Sequence, residues 1–325
     1  MDSIETASTS GVSPGTSAIR PRFAGEAYIV LAFTMAAWGG NAVAGRLAVG
    51  QASPMVITCL RWGIVAIFLS GVSFRRLGPV LPELRRWWMR VTLMALCGFS
   101  FFNALFYVGA HYTTAVNISI LQGSTPIMVM VGAAVLYGAR IGFMQMIGIV
   151  GTLIGVGVVA TRGHLGSLGA FELNLGDVLM LLACVLYAGY TLALRTRPAI
   201  PALLFFSALA IVAFLTSLPL LAFEVIAGTV QWPTPEGWAI VAFIAIFPSF
   251  LSQLTFMRGV QLIGPSRAGL FTNLVPLFGA FFAVVILGEP FGVYHLVALV
   301  LIIGGILVAE APVRLRGYVR ASRGL

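Results

Sequence analysis

Lysine is absent from this chain, and all nineteen of its basic residues are arginine. A phosphate-binding loop that needs lysine after a glycine-rich turn is therefore excluded, and with it direct ATP hydrolysis by this chain. Charge of either sign is scarce. Charged residues make up 9% of the 325 positions and hydrophobic residues 59%, whereas a soluble domain carries about a quarter charged residues. So few charges cannot cover the surface of a water-soluble fold, which makes lipid the solvent for most of the chain. Cysteine is nearly missing too. Cys59, Cys97 and Cys184 each sit in an apolar run, with neither metal spacing nor the pairing of an oxidised domain, and read as small packing residues. The net charge of +9 forms no basic face on any folded stretch, so nucleic acid is not an expected partner. The arginines fall in short loops and tails.

What is present is a run of apolar segments. A membrane span needs about 20 mostly apolar residues. Candidates lie near 26–47, 54–73, 89–110, 114–136 and 142–161, then near 176–194, 200–223, 237–259, 266–287 and 291–310. Breakers mark the joints, among them Ser53-Pro54, Gly78-Pro79, Arg197-Pro198, Gly264-Pro265 and Glu289-Pro290. Residues 1–22 are rich in Ser, Thr, Gly and Pro. A disordered tail is expected over 1–25, without the features of a cleaved signal peptide, and a basic tail over 311–325.

The arginines orient the spans. With ten spans both termini share one side, and that side collects sixteen arginines; the other holds only Arg46 and Arg162, leaving Arg61 inside a span. By the positive-inside rule both termini are cytoplasmic. The expected location is the inner (cell) membrane of a bacterium, crossed many times.

Sliding residues 98–160 by 150 positions lays them on 248–310 without a gap. Phe106 then meets Phe256, Gly109 meets Gly259, Pro126 meets Pro276, Gly138 meets Gly288, and Gly155 meets Gly305. At a shift of 149, Trp38 lies opposite Tyr187 and Arg46 opposite Arg195. Each half (26–161 and 176–310) holds five spans, an odd number, so the second half starts from the opposite side of the membrane. The expected fold is an all-α integral membrane protein, ten transmembrane helices as two inverted five-helix repeats. This is a usual construction for carriers that expose one central site alternately to each side.

These residues also resemble a family. Ala37-Trp38-Gly39-Gly40-Asn41 with Arg46, then Ser53-Pro54 and Leu60-Arg61-Trp62, is similar to the opening of an EamA domain. Each repeat end adds a mid-span proline, a glycine after the span and a glycine-rich fifth helix. The second copy has the fuller form Leu287-Gly288-Glu289-Pro290, whereas the first reads Tyr137-Gly138-Ala139-Arg140 and lacks the acidic residue. The resemblance covers roughly 27–310. It implies the drug/metabolite transporter superfamily, whose members export or exchange amino acids, other metabolites or, less often, drugs.

Polar groups within spans are expensive and mark candidate sites. Arg61 lies about 10 Å into its span. Two roles are open to it: a cationic anchor for a carboxylate or phosphate, or a structural arginine bonded to helix-end carbonyls. Asn103, Gln122, Gln253 and Asn273 sit in spans three, four, eight and nine, with Asn103 and Gln253 at matching positions of the two halves. Asn41 belongs to the same candidate cavity. Trp38 and Tyr187 are near mid-span and placed to line a pocket, whereas Tyr107 and Tyr190 read as members of interface belts. Pro126 and Pro276 remove backbone hydrogen bonds at equivalent places, and Pro248 breaks span eight; these are the expected moving elements. Gly148, Gly151, Gly155, Gly157, Gly304 and Gly305 read as packing. The three histidines are scattered, and no metal or nucleophilic constellation includes them.

No Asp or Glu falls in the middle of a span, with Glu224 read as a loop residue. That pattern argues against a cation exporter driven by protons through an embedded carboxylate. The reading is a secondary carrier of small neutral, zwitterionic or anionic metabolites, amino acids first. Alternatives are a drug-efflux carrier and, from a different class, a lipid-modifying membrane enzyme, which lacks its acid/base cluster here. No catalysis, metal or cofactor is expected. The expected partners are a small metabolite and the lipid bilayer, with the chain as a monomer or weak homodimer.

Overall fold

The computed structural model describes residues 21–163 and 174–322. The expected disordered tail up to residue 20 and the end of the basic tail lie outside them. Among the described residues every regular element is helical. Ten helices are long and apolar enough to cross a membrane: Gly25–Leu47, Pro54–Ser73, Trp88–Gly109, Ala115–Tyr137, Phe143–Ala160, Leu175–Thr196, Ala202–Ile226, Pro235–Ile263, Arg267–Leu287 and Val293–Ala311. They are numbered as spans 1–10. The last helix runs on to Ser322. Two inverted halves of five spans result, with the start of span 1 and the end of span 10 on one face, here the terminal face, and the opposite face distal.

The repeat is visible in how the helices are interrupted. Span 3 carries a π-helical stretch at Leu96–Ser100, and span 8 carries one at Ala245–Leu251 that contains Pro248. A shift of 150 brings the first stretch inside the second. Spans 4 and 9 are each broken in two. Span 4 is a helix Ala115–Gln122, a turn at Gly123 and Ser124, and a second helix from Thr125. Span 9 passes through a 3-10 turn, Thr272–Leu274, before the helix Val275–Leu287. Pro126 and Pro276 therefore stand at the start of new half-helices, where their fixed φ and missing N–H cost nothing, rather than as kinks in continuous ones. Both half-helices end on a left-handed glycine, Gly138 with φ 64° and Gly288 with φ 65°. In each case the next amide reaches back to a carbonyl at 3.3 Å, Ala139 to Ala133 and Glu289 to Ala283, which satisfies a carbonyl left open at the helix end.

Span 1 packs on spans 8 and 9, span 2 on span 7, span 3 on span 6, and span 5 on span 10. Small residues set these approaches. A Cβ on Gly148 would land on the Gly305 carbonyl, and one on Gly305 would meet Gly148 and Thr152, so spans 5 and 10 touch through backbone. Gly157 and Gly304 face open space instead. Spans 1, 4 and 9 meet where Gly39, Ser119 and Gly279 crowd together.

Two expectations change. Glu224 is not a loop residue: it lies in the last turn of span 7, 8% exposed. Tyr107 is not part of an interface belt but one of the most completely buried side chains of the protein. Tyr190 also turns inward, against Phe99 at 5.2 Å and Tyr187 at 5.4 Å.

Candidate functional site

The centre of the molecule is organised by Arg61. Its side chain is 4% exposed, and its three hydrogen bonds go to two other spans, one from each repeat. Nε donates to Ser249 Oγ on span 8 at 3.0 Å, and Nη1 donates to Asn103 Oδ1 and Tyr107 Oη on span 3, each at 2.5 Å. The Tyr107 hydroxyl donates in turn to Asn41 Oδ1 on span 1 at 3.0 Å. The guanidinium carbon lies 5.0 Å from the Trp62 ring centre and 5.7 Å from that of Tyr107.

Local structure places each partner. Asn103 is anchored by its own amide, which donates to the Phe99 carbonyl at 2.5 Å. Ser249 sits in the π-helical stretch of span 8 and donates to the Ile244 carbonyl, five residues back, at 2.6 Å. That acceptor spacing exists because the helix is widened there; π-turns of this kind recur at functional sites. The Ser249 hydroxyl then has its lone pairs free for Arg61.

All three hydrogen-bond partners of Arg61 are neutral. Among the described residues the one salt bridge is Arg258–Glu26, remote from this cluster, and no described hydrogen bond uses Arg61 Nη2. A buried cation is here solvated by two hydroxyls, an amide and two aromatic faces, without a counter-ion. Beside it the indole Nε1 of Trp62 is buried with no hydrogen-bond partner.

The structure thus brings Arg61, Asn103 and Asn41 together, and adds Tyr107 and Ser249. The other sequence candidates stand outside this cluster. Trp38 packs on Phe256 at 5.3 Å, and Tyr187 packs on Phe102 at 5.1 Å. Gln122 and Gln253 are half-buried. Asn273 is buried, and its Oδ1 has no hydrogen-bond partner. No described hydrogen bond joins Gln253 to Arg61. The second repeat contributes Ser249, one turn earlier, because the arginine has no counterpart: the matching positions of span 7 are Ala210 and Ile211.

A second polar cluster ties helix ends at the distal face. Asp177 on span 6, 2% exposed, accepts from Thr113 Oγ1 at 2.5 Å and from Asn117 Nδ2 at 3.4 Å. Asn117 Oδ1 lies 3.2 Å from His295 Nε2 on span 10, while His295 Nδ1 accepts the Gly292 N–H at 3.0 Å. The ring proton therefore sits on Nε2 and donates to Asn117. Nearby, Glu289 accepts the backbone N–H groups of Ala115 and Val116, each at 2.9 Å. Glu224 accepts from Ser53 Oγ at 2.5 Å. Among the described residues no group of three or more His, Cys, Asp or Glu is arranged to hold a metal.

Comparison with known proteins agrees with this architecture. The family model described as "EamA-like transporter family" matches twice, over residues 25–161 and 174–310. Two curated relatives come from Bacillus subtilis (strain 168). "Uncharacterized transporter YyaM" is 27% identical over 282 residues, covering 84% of this chain and 90% of that protein. "Uncharacterized transporter YetK" is 28% identical over 284 residues, covering 87% and 86%. A solved structure described as "Crystal structure of protein" superposes with a TM-score of 0.62 at 19% identity, over 88% of this chain and 98% of that one, which speaks for the fold alone. Two family matches, one on each five-span half, place this chain in the EamA-like transporter family.

Proposed function

We propose that this transporter moves small metabolites bearing a carboxylate or another anionic group, amino acids first among them, by alternating access about Arg61. The observation that carries the reading is a buried guanidinium with neutral partners only. Desolvating a cation costs several kcal/mol unless opposite charge and hydrogen bonds offset it. Here the hydrogen bonds are in place and the opposite charge is missing. A substrate anion seated against the guanidinium supplies it, and the planar fork of arginine suits a carboxylate better than a point charge does.

The absence of Asp and Glu from the middle of the spans supports exchange or facilitated diffusion over a cation exchanged for protons at an embedded carboxylate. The arginine distribution supports a bacterial inner membrane with both termini in the cytoplasm. The chain is read as a carrier with no chemical step of its own. The test is exchange in reconstituted vesicles loaded with single amino acids and with organic cations. Amino-acid exchange that disappears in Arg61→Gln supports the proposal; organic-cation efflux strictly dependent on a proton gradient would sink it.

A further inference from the structure

Glu289 makes an unusual contact for a residue in a turn between spans. Its two carboxylate oxygens each take one backbone N–H from the start of span 4, Ala115 and Val116, at 2.9 Å. The next amide, Asn117, is capped locally by Thr114 Oγ1 at 3.1 Å. Helix starts leave such N–H groups unpaired. Here the second repeat satisfies two of them on the first repeat, and Ala115 and Val116 are completely buried.

The inverted repeat shows where the mirror contact belongs, on the terminal face between the span 4–5 turn and the start of span 9. It is missing on both sides. The shift of 150 puts Ala139 in the place of Glu289, so the carboxylate is gone. It also puts Pro265 in the place of Ala115, so one of the two N–H donors is gone as well. Donor and acceptor are deleted together.

Other ties show the same bias. At the distal face Asp177 joins spans 4 and 6 through Thr113 and Asn117. Ser53 N–H donates to the Gln231 carbonyl at 2.9 Å, and Thr234 N–H to the Gln51 carbonyl at 3.0 Å, binding the span 1–2 turn to the span 7–8 turn. The described ties of helix ends at the terminal face use neutral groups or a solvated ion pair. Tyr137 Oη donates to the Leu192 carbonyl at 3.1 Å, and the Ser73 and Ser207 hydroxyls share a hydrogen bond of 3.1 Å. The Arg258–Glu26 pair has side chains 49% and 39% exposed, and such solvated pairs contribute little.

We infer that Glu289 is the latch of the distal gate and that the substrate-free carrier rests with that gate closed. This rests on the alternating-access reading above. The resting carrier then loads from the terminal face, which the arginine distribution assigns to the cytoplasm.

The test is a double electron–electron resonance distance between spin labels at Tyr112→Cys and Phe291→Cys, with the three native cysteines replaced by alanine. Both sites are exposed and flank the latch, at 54% and 40%. The parent should give one short, narrow distance. In Glu289→Gln, which keeps the shape and loses one acceptor and the charge, a longer population should grow, with an open-to-closed ratio raised roughly tenfold or more. Glu289→Asp, too short to reach both amides, should act in the same direction and serves if the glutamine variant does not fold. Ala139→Glu combined with Pro265→Ala should build the mirror latch and narrow the distance distribution at the terminal face. If both faces open and Glu289→Gln matches the parent, the latch is wrong while the carrier reading stands. If no variant opens at either face, alternating access and the latch fall together.

Discussion

Arg61 Nη1 is shared between Asn103 Oδ1 and Tyr107 Oη, at 2.5 Å to each. Both acceptors lie on one face of span 3, four residues apart, so a single turn of helix fixes the direction of the guanidinium. Ser249 holds Nε from the other repeat. The remaining edge of the fork, at Nη2, takes no described hydrogen bond and is where the proposed substrate anion would sit.

Replacing Arg61 separates charge from geometry. Arg61→Lys keeps a cation but cannot reach span 3 and span 8 in the same way, because an ammonium lacks the planar fork. Exchange should fall roughly tenfold or more, with the protein still folded by size-exclusion chromatography. Arg61→Gln should abolish exchange.

Tyr107→Phe deletes the hydroxyl that bridges Arg61 to Asn41. Two buried polar atoms lose a partner, at about 1–3 kcal/mol for each group left unsatisfied. A lower thermal unfolding midpoint and a raised KM for exchange should appear together. Unchanged values in both would show that the bridge is idle.

Spans 5 and 10 offer a matched set of glycine substitutions. Gly148→Ala and Gly305→Ala push a methyl group into the backbone of the facing span, and overpacking of this kind costs about 1–3 kcal/mol. Gly157→Ala and Gly304→Ala meet open space and should be neutral or slightly stabilising. The comparison is made by thermal unfolding in detergent.

His111, in the turn between spans 3 and 4, is held below the ordinary histidine range by burial first and by Arg46 second, with Glu224 opposing. A lowered folded-state value means that the unfolded chain binds more protons. Stability from this group is present above the unfolded value of about 6.5 and is lost as pH falls below it. The unfolding midpoint should therefore drop between pH 7.5 and 5, and less so in His111→Asn.

Much of this was legible in the sequence because hydrophobic length and breakers are local signals. The ten spans match the apolar runs to within a few residues, except that spans 7 and 8 run three or four residues further at some ends. Pro126 and Pro276 marked the two broken spans, because a missing N–H leaves its trace whatever the packing. The site was only partly legible. Arg61 stood out because a charge inside a span is costly, but its partners depend on rotation about helix axes. Tyr107 looked like an interface residue by its distance from the span end, yet it points inward. Ser249 gave no signal, since its position depends on a π-helical widening that a serine does not announce. Arg61 has no counterpart in the second repeat, where the matching positions are Ala210 and Ile211, so the repeat alone did not point to its partners.

The central claim is that a substrate anion completes the Arg61 cluster. Its most direct measurement is counterflow in proteoliposomes, with each transported amino acid set against the amide in which its carboxylate is replaced. The account predicts that the carboxylate form competes for exchange and the carboxamide does not, and that Arg61→Gln removes the discrimination along with the activity. Equal competition by both forms, or full exchange in Arg61→Gln, would contradict it.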